Sequence, residues 1–235
     1  MRIFINFSII GTLFVILGCN PEPTINPYRL EYRIMELEYA ILEKDGSRVR
    51  LTADQIKFML EESMMNATAR RNLIDILDKI IIYRNQDRNF DLISIFKLEY
   101  LKEVYDKEDY LPLLWQFGND LVEATTVAMD PKLDLYDWNE FKEIVDCMDG
   151  SYQLLSRSSP DMDLLLYSPG KSELHPKYFN DLRTNMERFI KAIQSDDWMV
   201  HSLDESARAL LESYKKYLLF FSRIEWSEED VDLLR

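Results

Sequence analysis

Two histidines, two cysteines and six glycines are all that this 235-residue chain holds of those types, and each shortage closes off a chemistry. Histidine is the commonest transition-metal ligand, yet His175 and His201 stand far apart and neither lies in a His-Glu-x-x-His or Glu-x-x-His segment. A zinc-hydrolase helix and the di-iron pattern of helical bundles are therefore not expected. The few glycines form neither a phosphate-cradling loop nor a dinucleotide fingerprint, and they are too sparse for a Gly-rich all-β fold. A Gly-x-Ser-x-Gly elbow is missing, and Cys147 has no histidine partner readable from the sequence. No cofactor and no metal is expected. Basic residues are scarce as well, with 28 Lys and Arg against 42 Asp and Glu and a net charge of −14. Nucleic acid is then a poor partner, because phosphate binding needs a basic surface. The same charge disfavours adsorption to an anionic bilayer.

What the chain does have begins at its N-terminus. Arg2 is followed by residues 3–18 without a charged side chain, a short positive region and then an apolar one, the pattern of a secretory signal. Sixteen uncharged residues fall short of the roughly 20 that span a bilayer, and the stretch lacks the polar face of a surface helix. It ends Ile16-Leu17-Gly18-Cys19. This resembles the bacterial lipobox, in which an aliphatic residue and a small residue precede an obligatory cysteine. The resemblance covers only residues 1–19. It implies cleavage before Cys19, a diacylglyceryl group on its thiol and acylation of the new amino group. One buried acyl chain anchors only marginally, at about 0.8 kcal/mol per methylene, whereas two or more hold stably. Asn20 rather than Asp follows the cysteine, which by the same resemblance favours the outer membrane in a Gram-negative cell. Removing residues 1–18 leaves 217 residues and a net charge of −15, since Arg2 is the one charged side chain lost. That length suffices for one large domain or two small ones.

Residues 20–27 contain three prolines and read as a stiff tether of roughly 25 Å at about 3.1 Å per residue. Residues 28–235 then form the folded part, expected to be all-α, an irregular bundle of six to eight helices. The stretch from Tyr28 to residue 43 suits either a helix or a strand leading into a turn at Asp45-Gly46. Arg48, Val49, Arg50 and Leu51 alternate, so one small β-hairpin is expected near residues 30–51. Thr52 and Gln55 read as a capping box opening the next helix. Further stripes at spacings of three and four run through Leu73, Leu77 and Ile80, through Ile95 and Phe96, and through Leu114, Phe117 and Leu121. Pro112 fits the first turn of that last helix. A fifth helix from near Asp137 carries Phe141, Val145 and Met148, with Gly150 weakening its middle. Residues 156–175 form the longest break and a candidate subdomain boundary. Pro176 suits the N1 position of a sixth helix, and Ser202 with Glu205 caps a seventh. That helix is apolar on so many sides that burial against several neighbours is expected.

Among candidate sites, Cys19 is the lipidation residue. With Cys19 acylated, Cys147 has no disulfide partner and reads as a small buried apolar residue. His175 reads as a loop or cap residue beside Pro176. Asp161 and Asp163 lack the flanking glycine and further oxygens of a calcium loop. Glu140, Glu143, Asp146 and Asp149 recur every three residues and trace a slanting, solvated ridge. Most of the aromatic residues read as core. Trp198 and Trp226, beside acidic residues near helix ends, are candidate partner contacts. The expected function is a membrane-anchored lipoprotein of the cell envelope whose acidic domain binds another protein in a docking, inhibitor or immunity-type role. Two alternatives stand beside it. One is an envelope enzyme acting on glycan or peptidoglycan through a carboxylate pair. The other is a structural or assembly subunit, which a large exposed apolar patch would favour.

Overall fold

The computed structural model describes residues 29–86, 89–104, 109–130, 138–160, 171–194 and 200–222, without the side chains of 171–173 and 200–202. The apolar leader, Cys19, the proline tether, Asp161, Asp163, Trp198 and Trp226 lie outside the described residues. Eight helices follow one another: α1 (Arg29–Leu42), α2 (Gly46–Glu62), α3 (Ala67–Ile82), α4 (Asn89–Val104), α5 (Tyr110–Ala128), α6 (Trp138–Arg157), α7 (Lys171–Gln194) and α8 (Val200–Ser222). Among the described residues the fold is all-α, and no helix is long and apolar enough to cross a membrane.

Neither half of the expected hairpin near residues 30–51 is a strand. The turn at Asp45-Gly46 joins two helices instead, and its hydrogen bonds show why. Lys44 takes a left-handed φ of 56°. Its N–H donates to the Ile41 carbonyl and the Asp45 N–H donates to the Ala40 carbonyl, each at 3.0 Å. This is the double bond of a Schellman stop, which satisfies the last carbonyls of α1. The Asp45 carboxylate then accepts from the Ser47 and Arg48 N–H groups at 3.2 and 3.0 Å, capping α2 at its start. The alternation across residues 48–51 misled because Val49 belongs to a helical stripe with Ala53, Ile56 and Leu60, all fully buried, while Leu51 is 61% exposed. Thr52, expected to open a helix, is a buried residue in the middle of α2.

Later boundaries follow the sequence more closely. Asn66 caps α3 by accepting from Thr68 and Ala69, and Pro112 sits in the first turn of α5, where a missing N–H leaves no bond unmade. Pro176 does not open a helix, because α7 begins five residues earlier. Ser202 likewise lies inside α8 rather than before it.

Most consecutive helices pack on one another, α1 on α2, α2 on α3, α3 on α4, α5 on α6 and α7 on α8. Two helices tie these pairs together. α8 packs on α7, α1 and α5, and α1 packs on α2, α8 and α4. That accounts for the wide apolar surface of α8, where Leu210, Tyr214, Tyr217, Leu218 and Phe221 are all fully buried. α3 lies outermost, held chiefly between α2 and α4. Helices α2–α4 thus pack in series, with α2 and α4 both against α1.

Candidate functional site

Three polar arrangements and one apolar face stand out, and they differ in what they can do. The first is a buried charged centre. Lys97 on α4 lies on a stripe with Ile93, Phe96 and Tyr100, a core position. Its Nζ donates to Glu38 Oε1 of α1 at 2.8 Å, with the two side chains 1% and 0% exposed. Tyr214 of α8 donates its hydroxyl to the same oxygen at 3.0 Å. Burial pulls the Lys97 pKa down, opposed by the Glu38 charge, and pushes the Tyr214 phenol well up. A second link between the same helices runs from the Tyr100 hydroxyl to Glu31 Oε1 at 2.6 Å. The Tyr214 hydroxyl sits where a side chain on Gly118 of α5 would have to go. Four helices therefore meet at one charged point. A pair this deep adds little net stability, but removing one partner would strand a buried charge. Among the described residues both side chains of the pair are closed off from solvent.

The second arrangement joins α5, α7 and α8. Tyr217 OH lies 2.6 Å from His175 Nε2, and the Tyr110 hydroxyl bonds to the Tyr217 hydroxyl. The imidazole stacks on Phe179 at 5.8 Å between centroids and has Phe220 and Phe221 within 6.3 Å. His175 is thus part of α7's packing surface rather than a loop or cap residue. Burial lowers its pKa and raises that of Tyr217 well above the ordinary phenol value. No carboxylate bonds the imidazole among the described residues, so this is a neutral hydrogen-bonded lock inside an aromatic cluster.

The third is an open pocket of about 730 Å³ where the end of α1, the α3–α4 turn, the start of α4, the second half of α5 and one residue of α8 converge. Its polar lining is unusual in kind. Four carboxamides, Asn85, Gln86, Asn89 and Asn119, share it with the hydroxyls of Ser94 and Thr126. Lys44, Arg84, Asp91 and Glu123 also line it, so its charges balance in number. Ser94 donates to Asn119 Oδ1 at 3.0 Å. Asn89 is 2% exposed, and its Oδ1 has no hydrogen-bond partner among the described residues.

The apolar face is α2–α4. Ten large apolar side chains are exposed among the described residues, and eight of them lie between Leu51 and Val104. Leu51 and Phe58 are seven positions apart on α2, on one side of the helix. Ile95 and Leu98 share a side of α4. Residues 46–104 carry ten Lys and Arg against nine Asp and Glu, so this face is charge-balanced and the acidic excess of the chain lies elsewhere.

Of the residues singled out by sequence, Cys19, Trp198 and Trp226 fall outside the described part. Cys147 was expected to be buried and is exposed. α6 buries Phe141, Val145, Met148 and Leu155, and Cys147 points away from that stripe. Of the expected acidic ridge, Glu140, Glu143 and Asp146 are exposed and Asp149 is half-buried. No group of three or more His, Cys, Asp or Glu side chains placed to hold a metal ion occurs among the described residues. Neither the pocket nor the charged centre was found from sequence. A lysine on an apolar helical stripe at residue 97 was the one local signal available. No protein-family model matches this chain, and no curated protein and no solved structure shows similarity to it.

Proposed function

We propose that this chain is an exported binding protein of the bacterial cell envelope, anchored by lipid on Cys19, whose α2–α4 face docks another protein. The observation that carries the docking is the concentration of exposed apolar side chains in the stretch from Leu51 to Val104, eight of ten among the described residues. Scattered surface leucines need no explanation, but a concentration of large exposed apolar groups in one part of the chain supports an interaction site there. The charge balance of residues 46–104 sharpens the kind of partner. An apolar, weakly charged face buries against a similar one without desolvating many ions. The acidic excess outside this face then serves solubility and repels non-specific contacts.

The anchor rests on the apolar leader and the Ile-Leu-Gly-Cys ending at residue 19. The three-proline tether would hold the domain off the headgroups, leaving the α2–α4 face to a partner in the periplasm or at the cell surface. In a Gram-negative cell Asn20 favours the outer membrane. A docking, inhibitory or immunity-type role fits a permanently tethered domain. A constitutive assembly subunit would use the same face, and differs by co-purifying with its partner in fixed stoichiometry.

Two experiments test the reading. Cys19→Ser should release the protein from membranes and abolish the acyl mass; unchanged membrane association with no acyl mass in the wild type would refute the anchor. A photo-crosslinker placed at position 58 or 98 in intact cells should give a discrete adduct, and one at the exposed position 143 on α6 should not. Equal labelling at all three positions would refute docking through α2–α4.

A further inference from the structure

We propose that His175 is an acid-operated latch: it holds the first turn of α7, residues 171–175, against α5 and α8, and lets that turn go when the imidazole is protonated. The latch is separate from the α2–α4 face. The number of polar hydrogens decides which state holds. The Tyr110 hydroxyl bonds to the Tyr217 hydroxyl, and Tyr217 OH lies 2.6 Å from His175 Nε2. Tyr110 is 3% and Tyr217 0% exposed, so neither phenol can turn to water instead. With Nε2 bare, both hydroxyl hydrogens are used, Tyr110 donating to Tyr217 and Tyr217 donating to the imidazole. In the imidazolium Nε2 is a donor. It then donates to the Tyr217 oxygen, Tyr217 donates back to Tyr110, and the Tyr110 hydrogen finds no acceptor among the described residues. The 3.5 Å between Tyr110 OH and Nε2 gives no escape, because both atoms now carry hydrogens. Three polar hydrogens share two bonds, and a buried donor left unmet favours a conformation that meets it.

The surroundings do not compensate the added charge. The titratable groups facing the imidazole are the two phenols, Tyr110 from α5 and Tyr217 from α8. Phe220 and Phe221 of α8 and Phe179 of α7 complete its wall. α6 reaches this cluster through Tyr152, stacked on Phe179 at 6.4 Å. On α7 itself Lys177 stands two residues on, with its ammonium over the Tyr178 ring, and like charge repels an imidazolium. No carboxylate bonds the imidazole among the described residues. The Phe179 face attracts a cation somewhat, but it is not the hydrogen-bond acceptor that the cluster then needs. Burial accordingly lowers the His175 pKa, so the latch is shut at neutral pH.

α7 also has a second place to begin. Pro176 lies inside the helix and has no N–H, so the Ser172 carbonyl lacks the bond that would tie the first turn to the next. Proline is favoured instead at the first helical position. Releasing residues 171–175 leaves a helix that starts at Pro176, with the proline where it fits best, so opening is confined to one turn. The rest of α7 stays docked, with Leu182, Met186 and Phe189 fully buried. Opening lifts the imidazole off Tyr217, Phe220 and Phe221, which are at most 5% exposed in the closed form, and bares an aromatic edge under acid conditions.

The test is hydrogen–deuterium exchange of the full mature chain from about pH 7.5 to about pH 5, read as protection factors so that the intrinsic pH dependence of exchange cancels. Below the ordinary histidine value of 6.5, protection of residues 174–179 should fall by up to about tenfold per pH unit, the limit for one proton. Protection in α2 and α3 should stay constant over the same range. His175→Gln keeps a polar amide and cannot titrate, so protection of residues 174–179 should no longer depend on pH. Tyr217→Phe removes the hydroxyl that links His175 to Tyr110 and should lower the same protection already at pH 7.5, which keeps the test decisive if His175→Gln fails to fold. Protection that holds down to pH 5, that falls equally in α2 and α3, or that falls as far in His175→Gln overturns the proposal. So does a Tyr217→Phe variant protected like the wild type at pH 7.5.

Discussion

Replacing Gly118 by alanine should destabilise this protein, although a glycine inside a helix is ordinarily improved by alanine. In the interior of α5 the exchange alone would gain about 0.5–1 kcal/mol. Against that, a Cβ at residue 118 would overlap the Tyr214 hydroxyl and lie 2.5 Å from its Cζ. The ring cannot retreat freely, because Tyr214 is fully buried and its hydroxyl donates to Glu38 at 3.0 Å. Overpacking a core costs about 1–3 kcal/mol, and losing a hydrogen bond to a charged group about 1.5–3 kcal/mol. The net expectation is a loss of about 2–5 kcal/mol, a large part of the 5–15 kcal/mol that typically holds a domain folded. Urea unfolding followed by far-ultraviolet circular dichroism measures it. With a slope of about 3 kcal/mol per molar, the midpoint should fall by roughly 0.7–1.7 M. Gly150→Ala is the internal control, since nothing lies within 4 Å of its would-be side chain; it should raise the midpoint. Combining Gly118→Ala with Tyr214→Phe should cost less than the two single changes together, because both break one contact. If Gly118→Ala is as stabilising as Gly150→Ala, Tyr214 does not bridge α5 to Glu38 and the charged centre is wrongly drawn.

Other consequences follow from the same contacts. Lys97→Met should cost about 3–5 kcal/mol by stranding the Glu38 carboxylate, and adding Glu38→Leu should recover most of that loss; urea midpoints of the three variants decide it. Asp45→Ala and Asn66→Ala each remove a helix cap and should cost about 1 kcal/mol apiece by the same assay. His175 has a folded pKa below its unfolded value of 6.5, so the stability it contributes is present above pH 6.5 and is lost as pH falls through the folded value. Thermal melts from pH 7.5 to 4.5 should show that acid limb, and His175→Gln should flatten it; an unchanged limb would place the titrating group elsewhere. Cys147 is exposed, so a maleimide should label it in the native protein about as fast as in urea.

How much of this could be seen in the sequence depended on how local the cause was. Helices α3, α5 and α6 were legible because one stripe of apolar residues at spacings of three and four decides each of them, and Pro112 marks a first turn unambiguously; α4 was found but its stripe was misplaced, since Ile95 is 48% exposed and the buried side carries Ile93, Phe96, Lys97 and Tyr100. The α1–α2 segment was not legible. α1 is buried nearly all round, with Glu31, Arg33 and Glu38 as well as Tyr32, Ile34, Met35 and Leu37 inside, so its charged residues do not mark a solvent side. The short alternation at residues 48–51 then outweighed the longer helical stripe from Val49 to Leu60. Cys147 was misplaced because apolar neighbours in sequence were mistaken for neighbours on one face. The contacts that matter most were out of reach. Glu38 and Tyr214 are 176 residues apart, Tyr110 and Tyr217 are 107 apart, and the pocket draws on five segments. Residue spacing carries no information about such meetings; only the packing of α8 against α1, α5 and α7 creates them.

The docking face is the centre of the functional account, and the double variant Phe58→Asp, Leu98→Asp puts it at risk most directly. Both side chains are half exposed, so the substitutions should alter the urea midpoint by no more than about 0.5 kcal/mol of stability each. The partner adduct formed by the wild-type protein in intact cells should then disappear, with membrane anchoring unchanged. A normally folded double variant that still forms the adduct at wild-type yield would contradict docking through α2–α4.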